Sequence, residues 1–129
     1  MIEYRETIRK SVKAQGKYIK QSGTLGQYAV VWIEFSPCDC DGMIFEERIV
    51  NGAIPKEFFP AVEQGLRDSI KKGPVAGYPV TGLKATLYDG SYHPVDSSEM
   101  SFRIAAYLAY KSAMADAEPV LIKTDSNSS

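Results

Sequence analysis

Alternating apolar and polar positions predict β-strands in the first third of the chain. Residues 5–20 mix β-branched, aromatic and basic side chains with partial alternation, which is typical of strands with one wet face. Residues 28–35 are rich in β-branched and aromatic side chains and predict a further strand. Between these runs, residues 21–27 contain Gly23 and Gly26, so this segment is expected to form a hairpin loop.

The middle of the chain predicts a strand followed by a helix. Residues 43–50 have strand character and precede an asparagine-glycine turn signal. Residues 59–72 predict the first helix, because apolar side chains recur there at four-residue spacing. Pro60 fits its first position, and Gly73 predicts a left-handed cap at its end. Gly65, inside this helix, is expected to allow close packing on the sheet.

The last third predicts a strand over residues 78–88 and a helix over residues 97–117, and residues 119–122 are expected to form either a short terminal strand or the exit of the domain. Asp96 and Glu99 are spaced like a capping box at the start of the second helix. Its alanines favour helix and allow a close approach to the sheet. The side chains expected in its buried stripe are Met100, Ile104, Tyr107, Leu108 and Met114.

This order of elements predicts an α+β fold, a two-layer sandwich with one sheet and two helices on one face. The chain has 129 residues, which suggests one domain over residues 1–122 and a disordered polar tail over residues 123–129. No apolar run approaches the roughly 20 residues of a membrane span, so no membrane is expected as a partner. The first residues lack the apolar core of a signal peptide, so export is not expected.

Charge is unevenly distributed along the chain. The formal net charge of −1 argues against a dedicated nucleic-acid binder. However, residues 1–20 contain six bases and two acids, whereas residues 34–47 contain five acids and no base. This pattern predicts one basic and one acidic edge, and basic edges attract phosphate backbones. Two ordinary solvated strand faces remain the alternative.

The two cysteines, Cys38 and Cys40, lie in a polar loop predicted over residues 38–42. Two cysteines and one histidine cannot close a four-ligand zinc site, so no metal is expected. We expect two reduced thiols, with a disulfide or a metal contact as the alternatives.

The single histidine, His93, lies in a segment that runs from a strand end through a turn to a helix start. With Ser91, Asp89 and Asp96 nearby, one hypothesis is a small hydrolase in which His93 is the general base. A loop histidine can instead stack on an RNA base or contact a phosphate, and Tyr92 beside it can do likewise. The sequence contains no GxxxxGK[ST] loop, so nucleotide binding by that mechanism is unsupported.

Several longer motifs occur in one order across residues 3–122. They are Tyr4-Arg5-Glu6-Thr7-Ile8, Gln21-Ser22-Gly23 with Gly26-Gln27-Tyr28, Ile54-Pro55 with Pro60-Ala61-Val62-Glu63, Ala76-Gly77-Tyr78-Pro79-Val80, and the run from Leu87 through Met100. Together they resemble domain IV of bacterial elongation factor G, a translational GTPase. The motifs Ala14-Gln15-Gly16-Lys17-Tyr18 and His93-Pro94 are similar to those of elongation-factor-G-like paralogues.

The resemblance implies a fold like the second domain of ribosomal protein S-five, with a mixed four-stranded sheet and a left-handed βαβ crossover. It also implies that the GTPase domain is absent from this chain, which looks like an excised piece of a longer factor. No enzymatic activity and no cofactor are therefore expected here, since GTP and magnesium belong to the absent domain.

The resemblance further implies a cytoplasmic, monomeric domain that enters the ribosomal decoding site. There it would mimic the anticodon arm of tRNA, contact the tRNA–mRNA duplex and promote translocation, while other domains of the parent factor dock it. Two loops would form its tip. The tip residues are Ser22, Gly23, Thr24, Leu25, Gly26 and Gln27 in the first loop, and Tyr92, His93, Pro94, Val95 and Asp96 in the second. Candidate phosphate contacts are Lys13, Lys17 and Lys20.

One departure from the family concerns Thr24-Leu25, where members commonly carry glycine and then a basic or polar residue. A leucine cannot pair with phosphate, so this loop is expected to pack on a sugar or base face or to contact the ribosome more weakly. Two alternatives stay open: a stand-alone RNA-binding module, and a role of the parent factor in ribosome protection or rescue.

Overall fold

The computed structural model describes residues 2–22 and 25–125. Two of the predicted tip residues, Gly23 and Thr24, and residues 126–129 of the predicted tail lie outside this part of the chain. The elements are β1 (Ile2–Ile8), β2 (Val12–Ser22), β3 (Leu25–Pro37), β4 (Met43–Glu47), a single 3-10 turn (Lys56–Phe58), α1 (Phe59–Ser69), β5 (Leu83–Ser91), α2 (Glu99–Met114) and β6 (Pro119–Asp125).

Four strands form a mixed sheet in the order β2-β3-β5-β4. The pairs β2–β3 and β3–β5 are antiparallel, whereas β4 and β5 are parallel and are connected through α1. Helix α2 packs against β2 and β3, and α1 packs against α2. The predicted α+β sandwich with a mixed four-stranded sheet is therefore confirmed, and the left-handedness of the β4–α1–β5 crossover stays a prediction.

Alternation along β3 separates the core from the open face of the sheet, although Val30 on the other face is also buried. Ala29, Val31, Ile33 and Phe35 are completely buried against the helices. The intervening side chains point to the opposite face, because successive residues of a strand alternate between faces. Strand β3 is longer than the predicted run over residues 28–35, since pairing with β2 extends it back to Leu25 and pairing with β5 extends it to Pro37.

The buried face of α2 differs from the predicted stripe. Of the five predicted side chains, Met114 alone is buried, while Met100 and Tyr107 are exposed and the other two are half-buried. The face that enters the core consists mainly of small residues: Ser101, Phe102, Ala105, Ala106, Ala109, Tyr110 and Ala113. The predicted stripe consisted of large apolar side chains. A helix this close to a sheet has room mainly for alanine, and the alanine content of this segment did indicate a close approach.

The capping box of α2 is also formed by other residues than Asp96 and Glu99. Ser98 is the N-cap, and its side chain accepts a hydrogen bond from the Ser101 N–H at 3.1 Å. The Ser101 hydroxyl in turn accepts from the Ser98 N–H at 2.8 Å. The predicted start was therefore two residues too early, which leaves Asp96 outside the helix.

Helix α1 is shorter than predicted. It ends at Ser69, and Pro60 occupies its second position. The predicted left-handed cap at Gly73 is wrong, because Gly73 is not among the glycines with positive φ. Gly65 packs against α2 instead of the sheet, since a Cβ there would lie 2.5 Å from the Arg103 carbonyl oxygen.

The first predicted strand run is divided between two sheets. Strand β1 pairs with β6 in a separate two-stranded sheet, while β2 is an edge of the four-stranded sheet. Strand β6 confirms the predicted terminal strand and runs to Asp125, three residues into the segment predicted as tail. The sequence did not predict that β1 and β6 pair, because a pairing between the two ends of the chain leaves no local sequence pattern.

The buried Glu6 fastens β1 to the segment after α1. Its side chain is 0% exposed, and its carboxylate accepts hydrogen bonds from the backbone N–H groups of Val75, Ala76 and Tyr78 at 2.7, 2.8 and 2.9 Å. Gly73 is required beside it, because a Cβ there would overlap the carboxylate. Since this segment is held in a loop, β5 begins at Leu83 and not at residue 78.

The loop between β3 and β4 contains a disulfide between Cys38 and Cys40, so the expectation of two reduced thiols is wrong. The turn brings the two Cα atoms to 5.3 Å, which lies within the range that a disulfide can bridge. In the described part of the chain, no group of three metal-ligating side chains occurs. No described helix is both long and apolar enough to cross a bilayer.

Candidate RNA-contacting tip

The two segments predicted to form the tip meet at one end of the molecule. Ser22 of β2 pairs with Leu25 of β3, and the second segment follows β5. The backbone N–H of Tyr28 donates a hydrogen bond to the Asp96 carbonyl at 3.1 Å, and the Ser97 hydroxyl donates to the Tyr28 carbonyl at 2.6 Å. These bonds fix the second loop to the hairpin strand.

Tyr28 holds the two loops together by its side chain as well. Its hydroxyl lies 2.8 Å from the Ser91 hydroxyl, and its ring centroid lies 6.3 Å from that of His93. Tyr28 was predicted as a strand residue only, so this role was not predicted. The available signal in the sequence was the position of Tyr28 in a motif shared with the family. Hydrogen bonds between strands leave no local pattern in the sequence.

His93 organises the second loop through its backbone and its ring. The Nδ1 atom accepts hydrogen bonds from the backbone N–H groups of Val95 and Asp96, both at 3.2 Å. A ring nitrogen that accepts is not protonated, so the proton of the neutral ring resides on Nε2. The Ser97 hydroxyl accepts from the His93 N–H at 2.9 Å. With a side chain 49% exposed, His93 presents a donor at the surface of a stiffened turn.

This geometry does not support a hydrolase. The Ser91 hydroxyl is hydrogen-bonded to Tyr28, and Asp89 accepts from the Gly90 N–H at 2.8 Å. The Asp96 carboxylate lies 3.7 Å from Nδ1 of His93, which exceeds hydrogen-bond length. The nucleophile, base and orienting carboxylate of a triad are therefore not joined.

Gly26 allows the hairpin to approach the second loop. A Cβ at this position would lie 2.6 Å from the Asp96 carboxylate, so a larger residue would displace that side chain. Beside it, the half-buried Gln27 has a side-chain oxygen without a hydrogen-bond partner in the described part of the chain. The inner surface of the tip is thus closely packed.

The outer surface of the tip is apolar and aromatic. Val95 is 82% exposed and Tyr92 is 41% exposed, and Pro94 between them is also exposed. Such side chains are suited to contact sugars and base faces, and aromatic rings stack on unpaired bases. The arrangement can therefore dock against nucleic acid without a covalent step.

The candidate phosphate contacts all lie exposed on β2, but not on one face. Lys13 and Lys17 share the open face of the sheet, whereas alternation places Lys20 on the other face. The Lys13 ammonium lies 5.5 Å from the centroid of the Tyr88 ring. Burial, followed by the charges of Glu34 and Asp89, raises the pKa of Tyr88, so this ring remains neutral beneath the cation.

The sheet order agrees with part of the predicted charge pattern, although Arg5 lies on β1, which pairs in a separate sheet. Strand β2, which carries lysines and no acid, forms one edge, and β4 forms the opposite edge. Glu46 and Glu47 end β4, and Glu46 lies 3.4 Å from the Lys84 ammonium. The basic edge is therefore kept away from the acidic one.

Comparisons with known proteins agree with this fold. A family model described as elongation factor G, domain IV, matches residues 1–118. An elongation factor G from Fervidobacterium nodosum is 54% identical over 123 residues, which cover 95% of this chain and 18% of that protein. A crystal structure from Thermus thermophilus superposes with a TM-score of 0.87 at 50% identity, covering 94% of this chain and 18% of that one. The chain thus spans about a fifth of the length of these relatives, and it belongs to the elongation factor G domain IV family.

Proposed function

We propose that this domain forms the tip of a longer elongation factor G protein, enters the small-subunit decoding site and promotes movement of tRNA and mRNA. The observation that carries the proposal is the hydrogen-bonded pair of loops at one end of the domain. Tyr28 joins them, and His93 is displayed at their surface. A rigid projection of this kind is suited to mimic an anticodon arm, because a docking element must resist deformation when it meets the duplex.

The proposed action is mechanical and electrostatic. His93 would donate from Nε2 to the codon–anticodon backbone, and the apolar surface around Val95 would pack on sugars. Lys13 and Lys17 would neutralise nearby phosphates. GTP and magnesium would be bound by the GTPase domain of the longer protein, since this chain has no GxxxxGK[ST] loop. Such a factor would act in the cytoplasm, with the remaining domains placing the tip.

The test is a chimera in which this chain replaces domain IV of the Fervidobacterium nodosum elongation factor G. The measurement is single-turnover translocation on ribosomes, with GTP hydrolysis followed in parallel. We expect His93→Ala to slow translocation by about tenfold, roughly 1.4 kcal/mol in the barrier, and to leave hydrolysis unchanged.

The matched control is Lys56→Ala, at an exposed position in the 3-10 turn and outside both tip loops. This variant should translocate at the rate of the unmodified chimera. If His93→Ala also keeps that rate, His93 has no part in the mechanism.

The basic β2 edge favours a second candidate, an RNA-binding module that acts by itself. It requires the isolated chain to bind RNA with micromolar affinity and steep salt dependence. Replacing both Lys13 and Lys17 with alanine should then reduce the salt slope by about 1.4 for single-stranded RNA. An isolated chain that does not bind RNA at low salt would exclude this candidate.

A further inference from the structure

A groove of about 690 Å³ lies between α1 and α2, and the proposed function does not use it. Its apolar surface is contributed by Pro74, Ile104, Tyr107 and Met114. Tyr107 is 47% exposed although its ring is large and mostly apolar. The groove starts at Arg103, about one turn into α2, and continues away from the tip.

Cations surround this apolar floor. Lys71, Lys72, Arg103 and Lys111 line the groove, whereas its single acid is Asp68. Asp68 lies 3.4 Å from the Lys71 ammonium, which offsets one of the four positive charges. Among the described residues, the other three cations have no carboxylate within ion-pair distance. The rim therefore complements an anionic partner.

We propose that this groove binds an extended acidic segment of a protein partner. The lining from Arg103 to Met114 covers twelve residues of helix, about 16 Å between the first and last Cα atoms, which matches roughly five residues of extended chain. Side chains of an extended segment alternate, so apolar residues would pack on the floor while carboxylates meet the cationic rim.

The observations favour a peptide over RNA. A single-stranded RNA site combines a cationic track with several aromatic rings on which successive bases stack. Here Tyr107 is the one exposed ring, and the rest of the floor is aliphatic. The phosphates of an RNA would contact the cationic side chains of the rim and leave the apolar floor of the groove exposed to water.

The experiment titrates this 129-residue chain into a fluorescein-labelled peptide, Glu-Phe-Glu-Leu-Glu, at about 20 mM salt, with anisotropy as the readout. Parallel titrations use Lys-Phe-Lys-Leu-Lys and a ten-nucleotide oligouridine. We expect the acidic peptide to bind more tightly than either. Replacing both Lys72 and Lys111 with glutamate should weaken its binding by about tenfold or more.

The matched control reverses two exposed charges that do not line the groove, Lys10→Glu with Lys56→Glu, and should change affinity less than about twofold. Amide chemical-shift changes in the unsubstituted chain provide a readout that does not depend on variant folding. They should cluster over residues 65–74 and 103–114. No peptide binding, equal loss in the control, shifts confined to β2, or tighter oligouridine binding that the groove variant abolishes would each overturn the proposal.

Discussion

The most demanding prediction concerns Glu6, which is wholly buried and holds three backbone N–H groups of the segment after α1. In Glu6→Gln the side chain keeps its size but loses its charge and one acceptor oxygen. The remaining oxygen is expected to serve Ala76 and Tyr78, which share one carboxylate oxygen in the native protein. The new amide NH₂ group would then face the N–H of Val75, donor against donor.

The expected cost follows from these contacts. A hydrogen bond to a charged group contributes about 1.5–3 kcal/mol, and an orphaned buried donor costs about 1–3 kcal/mol. One such bond is lost and the other two lose their charge assistance, so we expect Glu6→Gln to lower the free energy of unfolding by about 3 kcal/mol. For a chain of this size that corresponds to about 10 °C in Tm.

Urea denaturation at neutral pH measures this difference, and an unchanged m-value shows that the variant unfolds from the same folded state. The control is Glu63→Gln on the outer face of α1, where the carboxylate lies 2.7 Å from the Arg67 guanidinium at the surface. That variant should lose no more than about 0.5 kcal/mol. If Glu6→Gln is equally mild, the segment after α1 is not held by the carboxylate and the reasoning is wrong.

Three further predictions concern packing, titration and the tip. Gly16→Ala should destabilise the chain by about 2 kcal/mol in urea, because its Cβ would overlap the Ala105 carbonyl oxygen, and a neutral effect would show that α2 can move away from β2. Burial, aided by the Glu6 charge, raises the pKa of Tyr110 from 10.0 to about 12. The un-ionised Tyr110 therefore contributes stability that is fully present below pH 10 and is lost as pH rises through about 12. The free energy of unfolding should fall by roughly 2.7 kcal/mol over this range, and Tyr110→Phe should remove this pH dependence. Ser97→Ala removes a 2.6 Å bond to the Tyr28 carbonyl and should accelerate hydrogen exchange of the loop amides, whereas unchanged exchange would mean that other contacts hold the loop.

The tip shows which structural features local sequence patterns predict and which they do not. The hairpin after β2 and the turn before α2 were both predicted from glycine, proline and polar residues, and their proximity came from the resemblance to the family. The contacts that join them were not predictable, since the Tyr28–Asp96 and Tyr28–Ser91 bonds connect residues more than sixty positions apart. The capping error had the same origin, because Asp96 and Ser98 are both good caps and the bond to Ser101 decides between them.

The sequence by itself determined the strand of residues 28–35, the two helices, the opposite charges of the two sheet edges and the family. These properties depend on periodicity, composition and motif order, which are local or directly legible along the chain. Tertiary structure alone decided that β1 leaves the main sheet to pair with β6, and that α2 buries alanines. It also decided that the buried Glu6 binds the segment after α1, that Tyr28 joins the two tip loops and that a cationic groove lies between the helices. Each of these features depends on contacts between residues that are far apart in the sequence. Such contacts stabilise the structure only after the chain between them has closed into a loop.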